Sequence, residues 1–175
     1  MSAIAGSPQG RRVLVARVTG ESGERIQAWR EQHDPEQARR IPPHATLCYW
    51  APVVEPAILE RQVRHAFDRP VCARLGQVRD FGNADGTFFV DVLETEALDA
   101  VRSRLHDGAF LELSIRPDWT WHVTCVRVSR GRSDIDLLRA AAKDLVIDAP
   151  WEIDTISYLE LRGGRYAAIA DWHVP

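Results

Sequence analysis

PPHATLCYW, residues 42–50, decides the reading of this chain, together with WTWHVTCVRV at 119–128. Both hold His, any residue, Thr within apolar sequence that alternates as a strand does. The prolines stand only at the start of the first stretch, where a strand tolerates them. Side chains alternate across a strand. His44, Thr46, Cys48 and Trp50 therefore fall on one face, with Ala45, Leu47 and Tyr49 on the other. In the same way Thr120, His122, Thr124 and Val126 fall opposite Trp121, Val123 and Cys125. One face can pack beneath helices, which leaves the His-Thr face to line a cleft.

Working outward, the elements repeat in order. RVLVARV (12–18) reads as a buried strand, and 23–34 as a helix with Ile26, Trp29 and Arg30 at helical spacing, ended by Pro35. After the first motif, 55–68 is an amphipathic helix with Ile58, Leu59, Val63, Ala66 and Phe67 as its stripe. Strands at 71–81 and 87–94 flank the turn GNADGT and form a hairpin. Thr95 can cap a helix over 95–107 that leads to the second motif. A helix over 133–145 with Ser133 as its cap follows. Two last strands, 151–161 and 166–174, join at Arg162-Gly163-Gly164-Arg165, where Gly-Gly is first of all a hairpin turn. Each half thus holds a His-Thr strand, a helix and a hairpin. The expected fold is α/β and bilobal: a duplication in which two lobes, each an antiparallel sheet with helices, face each other across a cleft. Residues 1–11 read as a flexible tail, and 12–175 as one domain.

A pseudo-twofold relation would aim two imidazoles and two hydroxyls at one small volume. That set suits displacement at phosphorus. One group must take a proton from the attacking oxygen, and another must give one to the leaving oxygen. Histidines, with an ordinary pKa of about 6.5, populate both forms near neutrality. Threonine hydroxyls can donate to the non-bridging oxygens as their charge grows. A cyclic phosphate is a natural substrate, since its ring is strained. With six His in the chain, two such pairs arise by composition alone at a chance of roughly 2%.

The chain resembles the 2H phosphoesterase superfamily, which includes 2'-5' RNA ligase-like proteins and 2',3'-cyclic phosphodiesterases and is named for two His-x-Thr/Ser-x motifs. They stand here as His44-Ala45-Thr46-Leu47 and His122-Val123-Thr124-Cys125. IPPHATL resembles the first motif with its preceding Pro, and HVTCVR the second with the Arg that often follows, Arg127. Trp121, where Pro is common, and Cys125, where an aliphatic residue is, depart from the pattern without touching the chemistry. The resemblance spans about residues 12 to 173. It implies a phosphoric diester hydrolase that opens a 2',3'-cyclic phosphate at an RNA end or on a nucleotide, with no metal or other cofactor. His44 and His122 would share the acid and base roles, and Thr46 and Thr124 would hold the phosphate. Cleavage or reversible joining of 2'-5' bonds is the alternative. A non-catalytic module that binds RNA ends or nucleotides is the alternative of another class.

Further candidates surround the motifs. Trp50 and Trp119 could stack a base, as could Phe81 and Phe89 near the hairpin, whereas alternation sends Trp121 to the core. Arg39 and Arg40 precede the first motif and could reach a phosphate or stay in a solvated loop. Strict alternation points Arg127 away from His122. A bulge or the strand end would re-aim it; otherwise it pairs with a carboxylate on the back. Cys48 could be a nucleophile but is more often small apolar filler. Two histidines without a third ligand make a poor zinc site, and no Gly-x-Ser-x-Gly elbow occurs.

The bulk properties fit. The chain has 175 residues, is 45% hydrophobic and 27% charged, and so can build a core without staples. Net charge −3 argues against coating long nucleic acid by charge alone. Three cysteines with no metal spacing read as reduced thiols in the cytoplasm. No run reaches the roughly 18 apolar residues of a membrane helix, and a monomer is expected.

Overall fold

A computed structural model describes residues 10–49, 51, 53–81, 87–106, 119–127 and 134–175. Trp50, the turn GNADGT up to Gly86 and Ser133 lie outside the described residues, as does the tail up to Gln9. The order is β1 (Arg12–Arg17), α1 (Gly20–His33), α2 (Pro35–Arg40), β2 (His44–Cys48), α3 (Pro56–Ala66), β3 (Cys72–Asp80), β4 (Phe88–Leu93), α4 (Glu96–His106), β5 (His122–Val126), α5 (Ile135–Ala142), β6 (Val146–Glu152), β7 (Thr155–Arg162) and β8 (Arg165–His173). Gly10 and Arg11, read as the end of the tail, already exchange backbone hydrogen bonds with Leu161.

Two boundaries differ from the sequence reading for local reasons. Pro35 starts a helix rather than only ending one. Asp34 Oδ1 accepts the Gln37 N–H at 3.0 Å, and Pro35 fills the first-turn position, where a missing N–H costs nothing. The stretch 151–161 is two strands, because the chain breaks from β6 at Ile153–Asp154 before β7 begins.

The fold is mixed α/β, with all strand pairs antiparallel in one eight-stranded sheet of order β6-β3-β4-β5-β2-β1-β7-β8. The two four-stranded halves, one for each motif, are joined at their edges in this one sheet. The seam between them is a single pair, Ala45↔Val123, linking β2 to β5. The hairpins also change sides. The β3–β4 hairpin that follows the first motif pairs beside β5, while β7–β8 lies beyond β1 on the β2 side. The chain crosses over between α3 and β3 and again between β6 and β7.

The main core unites Leu14 and Ala16 of β1, Leu47, Val123 and Val90 with apolar residues of the helices, among them Ile26, Leu59, Leu98 and Leu138. Each of the Leu, Ile and Val side chains contributes about 1.5–3 kcal/mol when fully buried. Ile58, on the margin of the α3 stripe, is exposed. A small second cluster, Val13, Val15, Ile41 and Leu159, lies on the opposite face of β1, the face that carries the motif residues. None of the described helices is long and apolar enough to cross a membrane.

Candidate active site

Each motif strand contains one extra residue just after its Thr. Thr46 pairs with Val15 and Cys48 with Leu14, so Leu47 is the surplus residue. Thr124 pairs with Phe89 and Val126 with Phe88, so Cys125 is surplus in β5. A bulge of this kind shifts the alternation by one. Leu47 and Cys48 both enter the main core, and so do Cys125 and Val126. The fifth residue after each His then returns to the cleft, where both Tyr49 and Arg127 line the cavity.

This corrects the expected faces. Cys48 is buried behind the sheet, not beside His44, and Tyr49 takes the cleft position. Val126 likewise leaves the cleft face. The bulge, one of the routes considered for Arg127, re-aims it, and Asp34 secures the turn by accepting the Arg127 backbone N–H on Oδ2 at 3.0 Å. Asp34 thus caps α2 and pins the end of β5 at once. The sequence carried a signal for both bulges. The apolar doublets Leu47-Cys48 and Cys125-Val126 break a strict period of two.

The two imidazoles are held alike. His44 Nδ1–H donates to the Pro42 carbonyl at 2.7 Å, and His122 Nδ1–H to the Thr120 carbonyl at 2.8 Å. A carbonyl only accepts, so the proton of each neutral ring sits on Nδ1 and Nε2 is left as the free base. Burial lowers both pKa values from the ordinary 6.5. His44 is pushed down to about 4, by desolvation first and then by the charges of Arg30, His122 and Arg17 against the pull of the Pro42 carbonyl. His122 is lowered by desolvation and by Arg127. Both rings are neutral at pH 7 in the free protein. A bound phosphodiester anion would raise both, since opposite charge favours the protonated form.

His44, Thr46 and Thr124 line the cleft with Arg11, Gln37, Arg40, Tyr49, Arg127 and Tyr166. Arg40, the C-terminal residue of α2, therefore sits where the sequence reading wanted a phosphate contact. His122 is not among the lining residues of this cavity; it meets Phe81 and Phe89 edge-on, with ring centroids 5.1 and 5.6 Å away. These two phenyl rings, considered for stacking a base, stack on each other at 4.1 Å and wall the imidazole instead. Trp119 is not among the lining residues. The Arg102 guanidinium covers it at 3.8 Å, and its edge meets Tyr49, so it backs the cleft through that tyrosine. Trp121 is core, as alternation predicts, with its indole N–H donating to Asp99 at 2.7 Å.

Sequence reasoning missed the role of Arg30. It is fully buried, and its Nη2 donates to the Gln37 and Ile41 carbonyls at 2.9 and 2.6 Å. It thereby fixes the segment whose next carbonyl, Pro42, orients His44. Its place on the apolar stripe of α1 was visible as a cation at a core position. None of the three cysteines is in a disulfide, and burial pushes the Cys125 thiol up to about 12, which keeps it from ionising. Among the described residues no three His, Cys, Asp or Glu side chains gather as metal ligands.

The profile of the 2'-5' RNA ligase superfamily matches residues 19–165, a span that contains both motifs. The chain belongs to this superfamily of 2H phosphoesterases. Solved structures agree in fold. TT0787 of Thermus thermophilus superposes with a TM-score of 0.63 at 15% identity, covering 94% of this chain and 97% of that one. E. coli LigT in its apo form gives 0.57 at 18%, covering 94% and 96%. LigT complexed with 3'-AMP gives 0.56 at 15%, covering 94% and 98%. No curated protein matches the sequence itself. For a 2'-5' RNA ligase superfamily member, phosphoesterase or ligase chemistry is the activity class. At such identities the structural likeness speaks for the fold alone.

Proposed function

We propose that this protein opens 2',3'-cyclic phosphates of RNA ends or nucleotides by two-histidine acid–base catalysis without a metal. The observation that carries the reading is the matched pair of imidazoles. Each Nδ1–H is tied to the carbonyl two residues back, so each free Nε2 is fixed in direction beside a Thr on the same strand face. Binding alone would not need two rings held in one tautomer.

In the reaction, one Nε2 takes a proton from water as the water oxygen bonds to phosphorus. The bond from phosphorus to one ring oxygen breaks, and the other imidazole, protonated once the anion is bound, gives that oxygen its proton. The Thr46 and Thr124 hydroxyls donate to the non-bridging oxygens, and Arg40 and Arg127 offset their charge. The superfamily's name supports a second reading in the same cleft, cleavage or reversible joining of 2'-5' linkages. LigT complexed with 3'-AMP is consistent with a nucleotide partner here. Cysteines outside any disulfide fit a reducing cytoplasm.

The test is turnover in EDTA of 2',3'-cyclic nucleotides, a cyclic-phosphate-ended RNA and a 2'-5' dinucleotide. Wild type should act, and His44→Ala and His122→Ala should each lose about 10²–10⁴-fold. Activity indifferent to either substitution would refute the mechanism. No turnover on any of the three, with binding that survives both substitutions, would point to the non-catalytic alternative.

A further inference from the structure

Arg127 stands one residue past the end of β5, beyond the last ladder pair, Val126↔Phe88. Its side chain lines the cavity with His44, Thr46 and Thr124. Its charge also reaches His122, which lies outside that lining, and disfavours the protonated ring. Arg127 therefore faces the groups of the first motif and acts on the histidine of the second. With no ladder pair of its own among the described strands, its direction depends on what else holds its backbone.

Asp34 provides that hold. Its Oδ2 accepts the Arg127 N–H at 3.0 Å, while Oδ1 accepts the Gln37 N–H of α2 at 3.0 Å. Gln37 and Arg40 of α2 line the same cavity. The Arg30 bonds to the Gln37 and Ile41 carbonyls brace α2 and the approach to the first motif as one unit. The sheet joins its two halves at one pair, Ala45↔Val123. Asp34 adds a tie between them, from the segment before the first motif to the residue after the second. The residue type fits both bonds. Capping α2 alone would be served as well by Asn or Ser. Two N–H groups on two oxygens need a carboxylate, because an amide puts an NH2 donor in the place of one oxygen.

We propose that Asp34 is a positioning residue for phosphate binding: by tying the Arg127 backbone to α2, it sets the Arg127 guanidinium on the phosphate that Thr46 and Thr124 hold. This rests on the reading of the cleft as a phosphate site. Asp34 is not among the lining residues, so its effect passes through Arg127. Its own charge works against an anion nearby. Removing that charge should tighten phosphate binding by Coulomb attraction alone, whereas loss of a positioning bond should weaken it. The two influences differ in sign.

The experiment is a double-mutant cycle on calorimetric binding of adenosine 2'- and 3'-monophosphate, which does not depend on turnover. The proteins are wild type, Asp34→Asn, Arg127→Ala and the two substitutions together. Asn caps a helix as well as Asp, so Asp34→Asn should unfold in denaturant close to wild type. Its Kd should nevertheless rise about threefold or more, and that of Arg127→Ala about tenfold. Adding Asp34→Asn to Arg127→Ala should change Kd no further, since no guanidinium is left to place. Glu36→Gln, which removes an exposed charge of the same sign from the first turn of α2, should not weaken binding. Binding by Asp34→Asn as tight as wild type or tighter, or losses that multiply in the double variant, would overturn the proposal. A wild type that binds neither monophosphate would overturn the phosphate reading of the cleft and this role with it. A cycle that behaves as expected beside absent turnover would refute the catalytic reading alone and leave Asp34 in its role.

Discussion

His44 and His122 share a motif, a strand bulge and a tautomer-fixing bond, yet they sit in unlike surroundings. His44 stands over the aliphatic cluster of Val13, Val15 and Ile41, with Arg17 paired across from it and Arg30 buried nearby. His122 stands edge-on to a stacked pair of phenyl rings, and its cross-strand partner is Asp91. That carboxylate is occupied, accepting the Gln77 N–H at 2.7 Å and pairing with Arg79 at 2.6 Å. Gly76 makes room for it, since a Cβ there would meet Asp91 Oδ1. A repeated strand therefore supplies equal groups, and the elements packed around each one make them unequal. This is how a symmetric motif can serve a reaction whose two proton transfers differ.

The comparison can be broken at several levels. The largest effect after loss of a histidine belongs to the hydroxyls. Thr46→Val and Thr124→Val should each lower kcat by about 10²–10³-fold if both donate to the developing charge. A loss confined to one of them, in single-turnover kinetics, would show that the halves are unequal in phosphate binding as well as in electrostatics.

Arg30→Met tests the electrostatic asymmetry directly. Removing a cation near His44 should move the limb of the kcat/KM–pH profile that belongs to His44 to higher pH and leave the other limb in place. Arg30→Lys, which keeps the charge, should restore the profile in part. Movement of both limbs together would contradict a local influence on His44.

Proton-detected titration of the imidazoles sharpens the same contrast. In the free protein His44 should titrate near pH 4 and His122 below 6.5, and a bound nucleoside monophosphate should raise both. The linked stability follows. The unfolded chain takes up protons as pH falls through about 6.5 while the folded chain does not, so stability is lost as pH falls from about 6.5 toward about 4. Chemical denaturation across that window should show it, and His44→Ala should flatten the slope.

The smallest effect is expected at Cys48. It lies in the core behind the cleft, so Cys48→Ala should leave turnover within about twofold, at some cost in stability. A large loss of kcat without loss of folding would return the thiol to the active site.

The two His-x-Thr pairs, their strand setting and the order of helices and hairpins were determined by the sequence itself, because a period of two and a helical stripe are local properties. So was the core position of Trp121. Tertiary structure decided the rest. Which strands adjoin depends on how the chain crosses between α3 and β3 and between β6 and β7, and no local pattern encodes that crossing. It decided that the halves join edge to edge at Ala45↔Val123 in one eight-stranded sheet. The bulges left a trace in the doublets Leu47-Cys48 and Cys125-Val126, but only pairing with β1 and β4 made those doublets shift the register. That shift exchanged Cys48 for Tyr49 and brought Arg127 into the cleft. Arg102 of the preceding helix, α4, packs over the ring of Trp119, which is not among the residues lining the cleft. Residue type and spacing set which groups can do the chemistry, while long-range pairing sets which of them meet, because an approach between distant elements is fixed by the packing of the whole sheet.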